Sequence, residues 1–172
     1  TWAGSEEDTT GPGMAAKGYI AANYSGNGRD FPVIAEIMKR VYDKNKGNLT
    51  DASRVGATYY NRGVVAGIIT VEGLRKSQEK FGKKPMTGEQ VQWGLEHLKL
   101  DDARLKTLGA AGFMPPVTIT CADHEGSGML KFQQWDGAKW NTISDWIEPE
   151  RARVRAKIEA SSMAYAKEKG IT

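Results

Sequence analysis

The sequence predicts an α/β fold in which helices outnumber strands. Apolar residues recur at helical spacing through most of residues 30–111, which favours amphipathic helices. By contrast, residues 117–121, 129–135 and 140–146 alternate as half-buried strands do. A further strand is predicted at residues 18–24, before the helices. So few strands relative to helices indicate a part of an α/β fold whose sheets need other strands to complete them.

The first helix is predicted to begin where Asp30 can cap it and Pro32 occupies its first turn. Its apolar face is formed by Phe31, Ile34, Ile37, Met38, Val41 and Tyr42, which fall at helical spacing. Gly47 is expected to end this helix.

A second, long helix is predicted to begin near Asp51 or Ser53 and to end at Phe81, with Gly82 as its stop. The residues that line one side are Val55, Tyr59, Val65, Ile69 and Leu74. The glycines inside it are Gly56, Gly63, Gly67 and Gly73, and each costs about 1 kcal/mol relative to alanine. Small residues there indicate close packing against a neighbouring element.

The remaining elements have local signals of their own. Thr87 and Gln90 form a capping box that opens a third helix, and a short helical turn follows at residues 101–108. Asp136 and Gly137 separate the last two strands and favour a tight hairpin. A final helix begins at Pro149. Its shared face carries Val154, Ile158 and Tyr165.

Composition indicates a globular domain. The 172 residues suit one domain with a real core. A mean hydropathy of −0.52 and the lack of a long apolar run argue against a membrane span. The net charge of +3 is dispersed, which argues against a nucleic-acid partner. The chain opens at Thr1 without a visible signal peptide, as expected of a processed chain or of a fragment of a longer one.

The densest polar cluster lies at residues 121–126. Cys121, Asp123 and His124 belong to residue types that bind zinc, but a zinc site needs ligands that converge from separated pairs. The sequence has one cysteine, and its other histidine is His97. We therefore expect a turn in which Asp123 bonds the backbone and His124 is partly buried, and no metal site. A Cys–His nucleophile is disfavoured because no orienting residue or oxyanion loop is apparent.

The aromatic residues offer two roles. Trp135, Trp140 and Trp146 lie on or beside the hairpin, where packing is the default expectation. Tyr59 and Tyr60 are adjacent in the second helix and point about 100° apart, so that one can face the core while the other faces a cleft. Tyrosine combines apolar area with a hydroxyl, which suits a small amphipathic ligand. For Tyr59 the core position is slightly favoured.

Several segments resemble the leucine/isoleucine/valine-type periplasmic binding proteins. Residues 13–22 (GMAAKGYIAA) resemble the family's G-D-A-A-E-G stretch that leads into a strand, and residues 57–64 (ATYYNRGV) resemble its A-Y-x-Y-D-A helix start. Residues 117–126 and 133–137 resemble the family's crossing segment and terminal hairpin. The resemblance runs in order from Trp2 to about Pro149.

The resemblance implies a portion of a type I periplasmic binding fold, in which two Rossmann-like α/β lobes joined by a hinge close on a ligand. Only the C-terminal portion of the family is matched. Residues 1–24 would end the second lobe, with a ligand loop and a strand, and residues 25–116 would be the helical part of the first lobe. Residues 117–126 would cross the hinge. Residues 127–172 would supply the second-lobe hairpin and the C-terminal helix.

By the same resemblance, four residues are carried over as ligand contacts. The family's aromatic contact falls on Tyr60, with Asn61 where an aspartate is usual and Tyr59 adjacent. The ligand-facing loop falls near Trp2, where relatives can carry an acidic residue that meets the ligand's amino group. Trp2 is not acidic. An aromatic or other organic acid would therefore fit an aromatic-rich pocket better than an amino acid would.

The implied function is that of an extracytoplasmic, periplasmic solute-binding component of an ABC importer. It would bind a small amino acid or an aromatic or organic acid by hinge closure and then dock on a membrane permease. It would need no cofactor and would catalyse nothing. The alternatives are a ligand-sensing domain of the same fold in a signalling receptor and a small enzyme that uses Cys121, His124 and Asp123. Iodoacetamide labelling of Cys121 would test the enzyme, since an inert, buried thiol counts against it.

Overall fold

The computed structural model describes residues 3–171, and it confirms a mixture of helices and strands. In chain order the elements are α1 (Glu6–Thr10), β1 (Ile20–Asn23), α2 (Pro32–Arg40), α3 (Thr58–Phe81), α4 (Gly88–Glu96), β2 (Lys99–Leu100), α5 (Asp102–Thr107), β3 (Val117–Thr118), β4 (Lys131–Trp135), β5 (Trp140–Thr142) and α6 (Arg151–Lys169). Short 3₁₀ turns lie at Gly13–Ala16, Tyr42–Lys44 and Ala52–Arg54. Within the described range, no helix is both long and apolar enough to cross a membrane.

The strands form two small antiparallel sheets. One has the order β1-β4-β5, and the other pairs β2 with β3. Ala21 lies opposite Gln133, and Trp135 lies opposite Trp140. Across residues 3–171 the described strand pairs are all antiparallel, whereas a Rossmann-like lobe is built on parallel strands. The two-lobed arrangement and its four segments therefore stay a prediction.

The main core belongs to a unit that we call the helical body, made of α2 to α5 with β2 and β3. Its fully buried apolar side chains include Ile34, Leu105 and Phe113, all with at most 1% of their surface exposed. Phe113 meets Phe31 edge to face, with 5.1 Å between ring centroids. This apolar burial is the largest favourable contribution to the stability of the body.

A second, smaller core belongs to the sheet region, which we define as β1, β4 and β5. It consists of Ala21, Trp135 and Trp140, with Ala16 packed against them. The two indole rings lie edge to face with centroids 5.5 Å apart. These two tryptophans therefore have the predicted packing role. Trp146 instead lies half-buried under the Lys131 ammonium group, 4.6 Å from its ring.

The first two helices differ from prediction at their ends. Phe31, not Asp30, is the N-cap of α2, although Pro32 is its first residue as expected. The helix ends at Arg40, well before Gly47, and a 3₁₀ turn follows. Helix α3 begins only at Thr58, because the turn Ala52–Arg54 is a separate unit. Its predicted end at Phe81 is confirmed, as are the capping box of α4 and the α5 turn.

One of the four predicted glycines, Gly73, and Gly94 of α4 explain how closely α3 and α4 pack. A Cβ at Gly73 would lie 2.5 Å from the Leu95 side chain, and a Cβ at Gly94 would lie 2.3 Å from the Gly73 carbonyl oxygen. Gly63 and Gly67 have no such neighbour within 4 Å in the described structure. Gly56 lies outside the helix, where its φ of +91° needs glycine.

The C-terminal part confirms one prediction and departs from another. The predicted hairpin between β4 and β5 is present, with its loop at residues 136–139. Asp136 stabilises this loop by accepting hydrogen bonds from the backbone amides of Ala138 and Lys139. Helix α6 has no buried residue, so Val154 lies in solvent instead of facing a core.

Candidate functional site

A buried polar cluster joins the helical body to the sheet region. We call it the polar junction and define it by Gly4, Asn23, Asn61, Arg62 and Gln133. The side chains of its last four members are all buried, although each is polar or charged. Buried polar groups must be hydrogen-bonded to be tolerated, so a cluster of them fixes a specific arrangement.

Asn23, at the end of β1, is the centre of this junction. Its Nδ2 donates to Gln133 Oε1 at 3.2 Å and to Asn27 Oδ1 at 2.9 Å. Its Oδ1 accepts from Arg62 Nε at 3.2 Å. Gln133 Nε2 in turn donates to the Gly4 carbonyl at 2.5 Å. A single asparagine therefore ties the sheet to the long helix.

Asn61 holds the loop that follows β1. It is fully buried, and its Nδ2 donates to the carbonyl oxygens of Gly26 and Gly28 at 2.8 and 3.0 Å. Its Oδ1 has no hydrogen-bond partner among the described residues. The described contacts of Asn61 are to backbone, and its predicted contact with a ligand stays a prediction.

Tyr60 is directed toward the helical body. Its ring packs against the main core, and its centroid lies 6.4 Å from that of Tyr42. Burial, followed by the hydrogen bond with the Tyr42 hydroxyl, raises the pKa of Tyr60 well above its ordinary value. This side chain therefore behaves as a core residue with a polar edge, and its contact with a ligand stays a prediction.

Tyr59 takes the exposed position. With 41% of its surface exposed, it is not the core residue that we slightly favoured. The reason is the rotation of about 100° between neighbours on a helix, which places Tyr60 inward and Tyr59 outward. Of the two tyrosines, Tyr59 is thus the one that a solute can reach.

Arg62 is a site residue that the sequence analysis missed. It lies one turn after Tyr59, with only 4% of its surface exposed. Its guanidinium carbon lies 5.4 Å from the Tyr59 ring centroid and 5.2 Å from that of Tyr24. A signal existed, since a single arginine stands among small and aliphatic residues three positions after Tyr59 on the same helix face.

The segment around Ser5 is held against the start of α3. Ser5 and Asp8 form a reciprocal capping box, and Glu6 accepts a 2.9 Å hydrogen bond from the Thr58 amide. The backbone bond from Ser5 lowers the pKa of Asp8, and the nearby charge of Arg62 contributes to the same shift. Trp2, the remaining predicted ligand residue, lies outside the described residues.

The cluster at residues 121–126 forms the predicted turn. Asp123 Oδ1 accepts from the Glu125 amide at 3.0 Å, while its other oxygen accepts from Arg151. His124 lies 3.2 Å from Glu96 and is exposed, so the expected partial burial is wrong. Cys121 is exposed too. Among the described residues, no three His, Cys, Asp or Glu side chains form a group that could hold a metal.

Cavities also lie elsewhere on the surface of the described residues. One of about 300 Å³, between α3 and residues 114–130, adjoins another of about 470 Å³ beside α4. Both are mainly apolar and share Ile69, Ile119 and His124 in their walls. A cavity of about 650 Å³ lies between α1, residues 53–57 and the hairpin loop. Their volumes fall within the range of small-molecule pockets, so they are alternative places for a ligand.

Comparison with known proteins identifies structures of similar fold. No protein-family model and no curated protein matches the sequence. A crystal structure described as an ABC transporter permease from the Pseudomonas fluorescens group is 45% identical, with a TM-score of 0.95 over 99% of this chain and 41% of that chain. A branched-chain amino acid ABC transporter from Thermus thermophilus with bound valine is 20% identical. Its TM-score is 0.63 over 86% of this chain and 37% of that chain.

These comparisons confirm the predicted resemblance at a coarse level. The chain has a fold found in components of ABC transporters, including one described for branched-chain amino acids. The second of these likenesses, at 20% identity, concerns the fold alone. The chain spans about two fifths of the length of both structures.

Proposed function

We propose that this chain is part of the solute-binding component of an ABC importer. The observation that carries the proposal is the 45% identity to an ABC transporter protein over nearly the whole chain. The second similar structure, which holds valine, supports a small organic solute. A small amino acid or an aromatic or organic acid is the proposed ligand class.

The surface at Tyr59, beside the polar junction, is the proposed contact for the solute. Tyr59 offers an accessible ring there, and Arg62 lies directly beside it. An aromatic wall with a few fixed polar groups is the usual composition of a small-molecule site. Tyr60 and Asn61 fix the start of α3 beneath this surface. Tyr60 packs against the main core, and Asn61 donates a hydrogen bond to the loop after β1.

The proposed mechanism is closure of two lobes on the solute, without catalysis and without a cofactor. A solute favours closure only through contacts that the open state lacks. In the periplasm, the closed form would dock on a membrane permease.

A thermal-shift screen of the full-length protein tests this proposal. The panel should contain branched-chain and aromatic amino acids together with aliphatic and aromatic carboxylic acids. A solute at about 100 times its dissociation constant adds about 2.7 kcal/mol of stability, which gives a clear rise in melting temperature. If no solute of any class raises it, the proposed function is wrong.

Two matched variants locate the binding site once a solute has been found. Tyr59→Ala should weaken binding at least tenfold, because it removes the exposed ring. Tyr165→Ala removes a more accessible tyrosine from α6, which is 58% exposed, and should leave binding unchanged. If both variants weaken binding equally, or if neither weakens it, the solute binds elsewhere.

A further inference from the structure

Helix α6 is attached to the rest of the molecule differently from the other helices. Helices α1 to α5 each contain at least one buried residue, whereas none of the 19 residues of α6 is buried. Its side chains of Val154, Met163 and Tyr165 are all more than half exposed. Apolar packing, which stabilises most helices in proteins, therefore contributes little to the position of α6.

Two arginines in the first turns of α6 hold it against the turn that contains Asp123. Arg151 donates to the Asp123 carboxylate and to the Gly126 carbonyl oxygen. Arg155 donates to the Ala122 carbonyl oxygen, and its Nη1 lies 3.9 Å from Asp123 Oδ1. We call Asp123, Arg151 and Arg155 the latch. One carboxylate thus attracts both arginines of α6.

The latch is open to solvent, and the helix beyond it makes its polar contacts within itself. Between 26% and 31% of each latch side chain is exposed, so water and salt ions reach these charges. Beyond the latch, the described ion pairs of α6 join Arg155 to Glu159 and Lys169 to Glu168, both inside the helix. The latch is therefore the described ionic attachment of α6.

The chain is fixed just before α6 begins. Ile147 and Leu130 exchange backbone hydrogen bonds of 2.8 and 3.2 Å. Three residues, 148–150, then connect this point to the helix. Glu150, the N-cap residue, makes no side-chain capping hydrogen bond. The start of α6 consequently relies on the latch, and residues 148–150 are the short link about which the helix can move.

We propose that α6 is a strap that docks through the latch and undocks about residues 148–150 when salt screens the latch. Raising the salt concentration from about 0.1 M to about 1 M shortens the screening length from about 10 Å to about 3 Å, which weakens exposed charge pairs. An undocked helix without tertiary packing is only marginally stable, so undocked α6 loses much of its helical structure.

The latch also bears on the apolar cavity of about 300 Å³. Gly126, whose carbonyl oxygen accepts from Arg151, lines this cavity together with His124 and Ser127. Docked α6 thereby holds one wall of the cavity in place, and undocking releases that wall. The same ionic contacts set both the position of α6 and the rigidity of the cavity wall.

Hydrogen exchange of the full-length protein, followed by mass spectrometry, tests the strap. Arg155→Gln should speed exchange in residues 156–169 by about threefold or more, and Asp123→Asn should do so to a greater extent because it removes the partner of both arginines. Arg153→Gln is the matched control. It removes the same charge from an exposed position of the same helix and should leave exchange nearly unchanged.

Salt and the cavity wall supply the second readout. About 1 M salt should speed exchange of α6 in the wild-type protein and have much less effect in Asp123→Asn. Residues 121–128 should exchange faster under the same conditions, while the helical body should not change. Tryptophan fluorescence confirms that each variant stays folded.

Three results would overturn the proposal. Equal effects of Arg153→Gln and Arg155→Gln would mean that the latch has no special role. Exchange in α6 that is as slow as in the helical body in every variant would mean that other contacts hold the helix. Exchange in wild-type α6 at the rate of an unfolded chain would mean that it does not dock. If α6 responds but residues 121–128 do not, the link to the cavity wall is wrong.

Discussion

The helical body and the sheet region are stabilised in different ways. In the described residues, the body buries ten apolar side chains in one cluster, whereas the sheet region buries three. The opposite face of the sheet exposes Ile20, Phe132 and Ile143. Polar side chains of the junction, centred on Asn23, then connect the two regions. The body is therefore held mainly by apolar burial, and the sheet region depends on directional bonds.

This difference indicates where changes should be tolerated and where they should not. Apolar packing is dense and responds to every methylene that is added or removed. A hydrogen-bonded junction responds instead to the loss of a specific partner. The four predictions that follow probe the contrast in order of expected effect.

Two phenylalanines provide the first comparison. Phe113→Ala should destabilise the protein by about 3–5 kcal/mol, because it leaves a cavity in the main core. Phe132→Ala, at a ring that is 41% exposed on the sheet, should cost less than about 1 kcal/mol. Urea denaturation measures both free energies of unfolding. Similar losses would mean that the open sheet face is covered in solution.

Two glycines provide the second comparison. Gly94→Ala should destabilise by about 2–3 kcal/mol, because its Cβ would lie 2.3 Å from the Gly73 carbonyl oxygen and 2.0 Å from the Ser77 hydroxyl. Gly67→Ala, on the exposed side of α3, should stabilise by about 0.5–1 kcal/mol through helix propensity. Thermal denaturation shows whether each variant is more or less stable than the wild-type protein. A stabilising Gly94→Ala would refute the close approach of α3 and α4.

The Glu72 ion pair provides a pH-dependent prediction. The hydrogen bonds from Arg104 lower the pKa of Glu72 below its ordinary value of 4.5. Its contribution is therefore present above pH 4.5 and is lost as the pH falls through the lower, folded value. Glu72→Gln should cost about 1.5–2 kcal/mol at pH 7. The difference from wild type should shrink below pH 4.5, and a difference that does not change with pH would contradict the ion pair.

Asp136 gives the smallest expected effect. Its bonds to the Lys139 amide, the Asn141 side chain and the Ala138 amide lower its pKa to about 2. Because the folded value lies below the ordinary one of 3.8, Asp136 should stabilise the hairpin above pH 3.8 and stop doing so near pH 2. Asp136→Asn should lower the melting temperature only slightly at pH 7. A loss of stability as large as that caused by Glu72→Gln would show that the loop also stabilises other parts of the fold.

Local sequence signals predicted the helices and strands well, but they did not predict which parts of the chain adjoin or cover them. The capping box at Thr87 and the stop at Gly82 are local, and the structure contains both. The start of α3 was misplaced because Gly56, at positive φ, separates a 3₁₀ turn from the helix. The exposed α6 was also missed, because a shared apolar face does not say what covers it.

The site was harder to predict than the fold for a physical reason. The junction brings Gln133 to Gly4 and Asn23 across more than 100 residues of sequence, a contact that no local pattern contains. The resemblance pointed to Tyr59, Tyr60 and Asn61 in the first turn of α3. It could not tell which tyrosine faces outward, and it gave no role to Arg62.

The most direct test is the structure of the protein with the best-binding acid found in the screen. Our account predicts the solute in contact with the Tyr59 ring. A well-bound solute that instead occupies the apolar cavity bordered by Ile69, Ile119 and His124, without contact to Tyr59, would contradict it.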